Sequence, residues 1–142
     1  MPLALRGGTI RTASRETWLT LEDVVQEAIA SLLAPLGIEY VVQYRRGVPP
    51  VVNEEVATRI MTHAIEAIGP DVLADTQQSG GGEDFSWYLE HVPGAMARLG
   101  VWDGFGPQVD LHAPNFDLDE RALAIGVRAL AGIVLNATSA AG

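Results

Sequence analysis

Residues 14–36 constrain this chain more than any other stretch. Trp18, Leu21, Val25, Ile29, Leu32 and Leu36 recur at three- and four-residue intervals, the spacing that gathers side chains on one face of an α-helix. Ser14 stands where a helix start wants a side-chain acceptor, Glu16 lies at its positive end and Gly37 follows its last turn. The expected helix therefore runs from Ser14 to Leu36. Glu16, Glu22, Asp23, Gln26 and Glu27 make its polar face, and its apolar stripe reads as core packing. On either side the pattern changes to alternation. Leu3, Leu5 and Ile10 mark an expected strand over 2–12, bulged at Gly7-Gly8. Ile38, Tyr40 and Val42 alternate with Glu39, Val41 and Gln43 in a second, over 38–46. Strand, helix, strand is a crossover unit, and it points to an α/β fold.

Gly47-Val48-Pro49-Pro50 breaks that pattern. Neither proline can donate to a ladder and together they stiffen a connection, so a boundary is expected between 1–48 and 49–142. Beyond it Asn53 is expected to cap a helix with Glu54 and Glu55 in its first turn. Ala57, Met61, Ala64, Ile65 and Ile68 face inward, and Gly69-Pro70 ends it. His63, at the border of that face, reads as packed or half-exposed. A short strand over 71–77, a short helix over 83–91 and an apolar strand over 95–101 follow. The last helix spans 118–136, with Asp117 and Glu120 as a capping box. It is apolar on nearly all sides, which predicts deep burial or cover by a neighbour. The small residues from Ala137 to Gly142 are expected to fray.

Charge and composition exclude several classes. Eighteen acidic and nine basic residues leave a formal charge of −9. Such a chain repels phosphate backbones and anionic lipid, so neither nucleic acid nor membrane is an expected partner. The absence of cysteine removes disulfides, thiol nucleophiles and cysteine metal sites. The opening residues lack the order of a signal peptide, and no run approaches the roughly eighteen apolar residues of a membrane span. A cytoplasmic protein is the expectation.

Two stretches look like chemistry. In Ser79-Gly80-Gly81-Gly82-Glu83-Asp84-Phe85-Ser86, three glycines run into a helix start. Backbone N–H groups there can approach a ligand closely, and the helix end adds positive potential, which suits a carboxylate or a developing oxyanion. It is not a phosphate-binding P-loop, because no Lys-Ser/Thr follows. A flexible turn explains the glycines as well. The other stretch is Leu111-His112-Ala113-Pro114-Asn115-Phe116-Asp117, where one imidazole lies near Asp110, Asp117 and Asp119. Imidazole is a common metal ligand, but a catalytic zinc takes about three protein ligands. His63 and His91 are badly placed to join His112. There is no His-Glu-x-x-His pair and no Gly-x-Ser-x-Gly elbow.

Four motifs in order add a resemblance. They are Gly8-Thr9-Ile10-Arg11-Thr12, then Tyr44-Arg45-Arg46-Gly47-Val48-Pro49-Pro50-Val51-Val52-Asn53, then Gly81 to Leu89, then Leu111 to Asp117. Order and spacing resemble the C-terminal part of the aminoacylase-type metal-dependent amidohydrolases, the hippurate-hydrolase-like members of metallopeptidase family 20. The resemblance implies a partial α/β catalytic domain over 49–142 and half of a ferredoxin-like lid or dimerisation domain over 1–48. It implies that His112 is a metal ligand and that Gly81, Gly82 and Glu83 line the substrate cleft.

The same resemblance implies hydrolysis of the amide of N-acyl amino acids or small peptides, two divalent ions (zinc, manganese or nickel) in the intact site, and a possible homodimer through the lid half. The family's His-x-His-x-His-Asp segment and Glu-Glu pair, which supply the other ligands and the general base, have no counterpart in these residues. Gly80 stands where Met is usual and Ala113 where Ser is usual. The chain is thus expected to be a C-terminal piece with no catalytic residue of its own, to bind no ion tightly and to be inactive alone. It is also expected to associate with itself. A non-catalytic remnant or interaction module, and a small-anion module built on the glycine loop, are the competing expectations.

Overall fold

A computed structural model describes residues 4–140. Its regular elements are helices: α1 (Arg15–Leu33), α2 (Glu55–Glu66), a single turn α3 (Ser86–Leu89) and α4 (Arg121–Ala140), with a 3-10 turn over Ala34–Leu36 after α1. The chain divides into two compact units. One comprises Met1–Val52 with Gln77–Val92, the other Asn53–Thr76 with Pro93–Gly142.

In the first unit α1 begins as its sequence predicts. Ser14 is extended, and its hydroxyl accepts the Thr17 N–H at 3.2 Å, satisfying one of the free donors of the first turn. The helix tightens through Ala34–Leu36 and stops at Gly37, whose φ of 64° is one that glycine adopts without strain. The apolar stripe is less covered than a core stripe. Trp18, Leu21, Val25 and Ile29 are partly buried, while Leu32 and Leu36 are exposed.

In the second unit α2 packs on α4. The contact is close because its residues are small. Ala64 is buried, and a Cβ on Gly132 would stand 3.3 Å from the Ala64 Cβ. On the same helix a Cβ on Gly126 would meet the Leu99 Cδ2 at 3.1 Å. Arg128 donates to the Ile68 carbonyl at 3.2 Å, just past the end of α2. The α2 cap is Glu54 rather than Asn53: its two carboxylate oxygens accept the Val56 and Ala57 N–H groups at 2.9 and 2.7 Å. Asn53 is taken up elsewhere, exchanging two 2.9 Å hydrogen bonds with the Met96 backbone.

The expected α/β fold is not found. Among the described residues there is no strand and no sheet. Of the expected strand over 2–12, residues 2 and 3 lie outside the described residues, and the remainder has no ladder. The segments 38–46, 71–77 and 95–101 likewise lack one. The reason is physical. Alternation of apolar residues predicts which side chains share a face, whereas a strand exists only through hydrogen bonds to a partner. Alternation does survive in part: Val41 is 88% exposed while Val42 and Tyr44 are partly buried. The long-range backbone bonds are isolated ones, such as Glu54 N–H to the Gly94 carbonyl and Asp119 N–H to the Val101 carbonyl.

The last helix also departs from expectation. It begins at Arg121, whose N–H donates to the Asp119 carboxylate at 2.9 Å, so the Asp117–Glu120 box is not its start. It continues to Ala140, past Ala137 where fraying was expected; residues 141 and 142 lie outside the described residues. It is not deeply buried. Ala122, Ile125, Gly126, Ala129, Gly132 and Ile133 are the covered side, whereas Leu123, Val127, Leu130 and Val134 are exposed. Contrary to the sequence expectation, Arg121–Ser139 is long and apolar enough to cross a membrane by length and composition, with a mean hydropathy of 1.5.

Candidate functional site

The glycine run belongs to the first unit and His112 to the second, so each is built from its own surroundings. Ser86 anchors the glycine stretch downstream. It is buried, and its hydroxyl donates to the Glu83 carbonyl at 2.6 Å. Upstream, the Arg11 guanidinium donates from Nη1 to the Gly80 carbonyl at 2.9 Å. Between these anchors the Gly81 N–H donates to the Ser79 hydroxyl at 3.1 Å, and the Phe85 N–H reaches the Glu83 carboxylate at 3.4 Å. Gly82 has a packing reason to be glycine, since a Cβ there would lie 3.1 Å from the Val48 Cγ2. Gly80 has none, with nothing within 4 Å of its Cβ position.

The helix α1 is fastened to the turn that follows the glycines. Arg15 forms a two-bonded ion pair with Glu90, its Nε donating at 2.8 Å and Nη2 to the other oxygen. This bonding holds the Glu90 carboxyl below its usual range, and the Arg15 guanidinium above its own. Trp18 meets Trp87 edge-on, with ring centroids 6.1 Å apart. Arg46 lies over the Trp18 ring at 5.3 Å and donates to the Leu19 carbonyl at 3.2 Å, a stacked arrangement that suits a planar guanidinium. Sequence reasoning assigned no role to Arg11, Arg15, Arg46 or Glu90. No local pattern signals these contacts, which join residues 69, 75 and 27 positions apart.

His112 sits in a tight turn. Its N–H donates to the Asp110 carboxylate at 2.8 Å, and the Ala113 N–H to the Asp110 carbonyl at 2.9 Å. The carboxylate thus shapes the backbone beneath the imidazole, and the residue is exposed. Asp117 bonds the N–H of Leu118, and Asp119 is engaged by Arg121. The Arg121 side chain, then its backbone N–H, hold the Asp119 carboxyl below the usual range. Among the described residues no group of three or more acidic or histidine side chains is placed to hold a metal ion. These residues by themselves do not fit a metal centre.

Residues 6–136 match the model of Peptidase family M20/M25/M40. A Rhodococcus jostii (strain RHA1) protein bearing the name of a glutamate–cysteine ligase is 58% identical over 127 residues, covering 89% of this chain and 16% of its own length. A Synechocystis protein named as a hydrolase is 41% identical over 84% of this chain and 31% of its own. The N-acetyl-L-cysteine deacetylase of Bacillus subtilis (strain 168) is 33% identical over 82% of this chain and 27% of its own. The chain therefore spans less than a third of the length of these relatives. No solved structure matches it.

Proposed function

The chain belongs to Peptidase family M20/M25/M40, and from that premise we propose that it contributes to a hydrolase cleaving the amide bond of N-acylated amino acids or small peptides. One observation carries the reading: the family match runs through all four motifs, from Arg6 to Asn136. His112 is proposed as one ligand of a divalent metal (zinc, manganese or nickel), with the remaining ligands and the general base supplied from outside these residues. Gly81, Gly82 and Glu83 are proposed to line the substrate cleft. Pairing of two copies through residues 1–48 is the corresponding proposal for a partner.

The name of one relative, the N-acetyl-L-cysteine deacetylase, supports N-acetylcysteine as the first substrate to test, and that of another at 33% identity supports N-acetyldiaminopimelate as the second.

The experiment is a chimaera in which residues 6–136 replace the matching segment of the B. subtilis deacetylase. Release of free amino acid is followed from N-acetylcysteine, from N-acyl derivatives of other amino acids and from dipeptides. Hydrolysis with N-acetylcysteine preferred supports the full proposal. Hydrolysis without that preference removes the cysteine assignment alone. A folded chimaera that hydrolyses none of them favours the interaction-module alternative.

A further inference from the structure

The first two glycines of the run have almost no packing to hold them, whereas the Cβ position of Gly82 lies 3.1 Å from the Val48 Cγ2. Nothing lies within 4 Å of a Cβ on Gly80, and on Gly81 the nearest atom is the Ser79 hydroxyl, a neighbour in the same loop. Three glycines in series have the widest conformational freedom to lose on ordering. One contact from a distant part of the sequence reaches the upstream end of the run: Arg11 Nη1 to the Gly80 carbonyl at 2.9 Å, across 69 positions. The same guanidinium nitrogen is 4.0 Å from where a Cβ on Gly82 would be, so the arginine lies along the loop rather than at its edge alone.

Arg11 is well placed to do this. It precedes the α1 cap by three residues, and the intervening turn is closed by the Ser14 N–H donating to the Thr12 hydroxyl at 3.1 Å. The first turns of α1 are in turn fastened to the far side of the loop through Arg15–Glu90 and Trp18–Trp87. Arg11 thus projects from a braced segment, and the loop hangs between its guanidinium and the buried Ser86. The charge makes this bond stronger than one between neutral groups.

We propose that Arg11 is the positioning residue of the glycine loop, setting the path of Gly80, Gly81 and Gly82 by holding the Gly80 carbonyl. The claim that this shapes a substrate cleft rests on the reading given under the proposed function; the claim that Arg11 orders the loop does not.

The test is millisecond hydrogen–deuterium exchange, read by mass spectrometry on the 142-residue chain and on its Arg11→Ala and Arg11→Lys variants. Arg11 is exposed, so neither change disturbs a core. The expected result is exchange about three- to fivefold faster at Gly80–Glu83 in Arg11→Ala, the scale of one modest hydrogen bond. Peptides from α2 and α4 should be unchanged, and Arg11→Lys, which keeps a charged donor, should restore at least part of the protection. Unchanged exchange at Gly80–Glu83 overturns the proposal. So do equal effects of Ala and Lys, or acceleration spread over the whole first unit.

A second arm separates this from the amidohydrolase reading. In the chimaera, Arg11→Ala should raise KM more than it lowers kcat. An exchange effect with both constants unmoved would overturn the loop's place in the cleft and leave its positioning by Arg11 standing.

Discussion

Three carboxylates carry the clearest residue-scale consequence. Glu54 is held below the usual range by the N–H groups of Val56 and Ala57, Glu90 by the Arg15 side chain, and Asp119 by the Arg121 side chain. A carboxyl whose folded value is depressed stabilises the fold above its unfolded value, and that contribution disappears as pH falls through the folded one. Urea melts from pH 7 downward should therefore show stability constant at first, then falling through and below the ordinary carboxylate range. Glu54→Gln should remove part of that slope, because an amide takes up no proton in this range. An unchanged slope in Glu54→Gln would show that the cap contributes nothing through its charge. At the same scale the sequence was partly misleading. Asn53 is the commoner cap type, but its amide is claimed by the Met96 backbone, and the adjacent carboxylate takes the role. Arg11 was visible as a residue but not as a contact, because 69 positions separate it from Gly80.

At the scale of elements, helices were legible and strands were not. Helix α1 and its cap follow from Ser14, Gly37 and the apolar spacing between them, because the hydrogen bonds of a helix lie within the segment that forms it. The expected strands depended on partners that no local pattern specifies, and none is paired among the described residues. In α4 the apolar residues were read as one all-round covering. They resolve into a face of small residues against α2 and a face of Leu123, Val127, Leu130 and Val134 that is exposed. The small face sets a firm expectation. Gly132→Leu drives side-chain atoms into Ala64, whose Cβ is already 3.3 Å from the built position. Overpacking of this kind costs roughly 1–3 kcal/mol, more than the roughly 0.5–1 kcal/mol gained by replacing a helical glycine. Chemical denaturation should show net destabilisation of Gly132→Leu and little change in Ala131→Leu, at an exposed position of the same helix. Equal stability of the two would mean that the α2–α4 contact is looser than described.

For the whole molecule the decisive quantity is surface. The chain exposes 11734 Å², whereas the same mass folded as two separate globules would expose about 8,500 Å². Leu5, Val41, Phe105 and the outer face of α4 are among the large apolar residues left in water. Buried apolar area is the main favourable term in folding, so the 142 residues alone should associate through these side chains. Sedimentation velocity should show mass rising with concentration, and a clean monomer with a sharp melting transition would contradict this. The candidate site was legible as motifs rather than as geometry. His112 and the run Gly81, Gly82, Glu83 could be picked out by residue type, but they fall in different units, and neither gathers a ligand set of its own.

The proposed function requires the imidazole of His112 to work with groups supplied from outside these residues. The direct measurement is bound metal and N-acetylcysteine hydrolysis in the deacetylase chimaera, with His112 and with His112→Ala. The folded His112→Ala protein should lose metal and fall at least about a hundredfold in hydrolysis, on the scale of removing a group essential to the chemistry. A His112→Ala chimaera that keeps both its metal and its rate would contradict the proposed function.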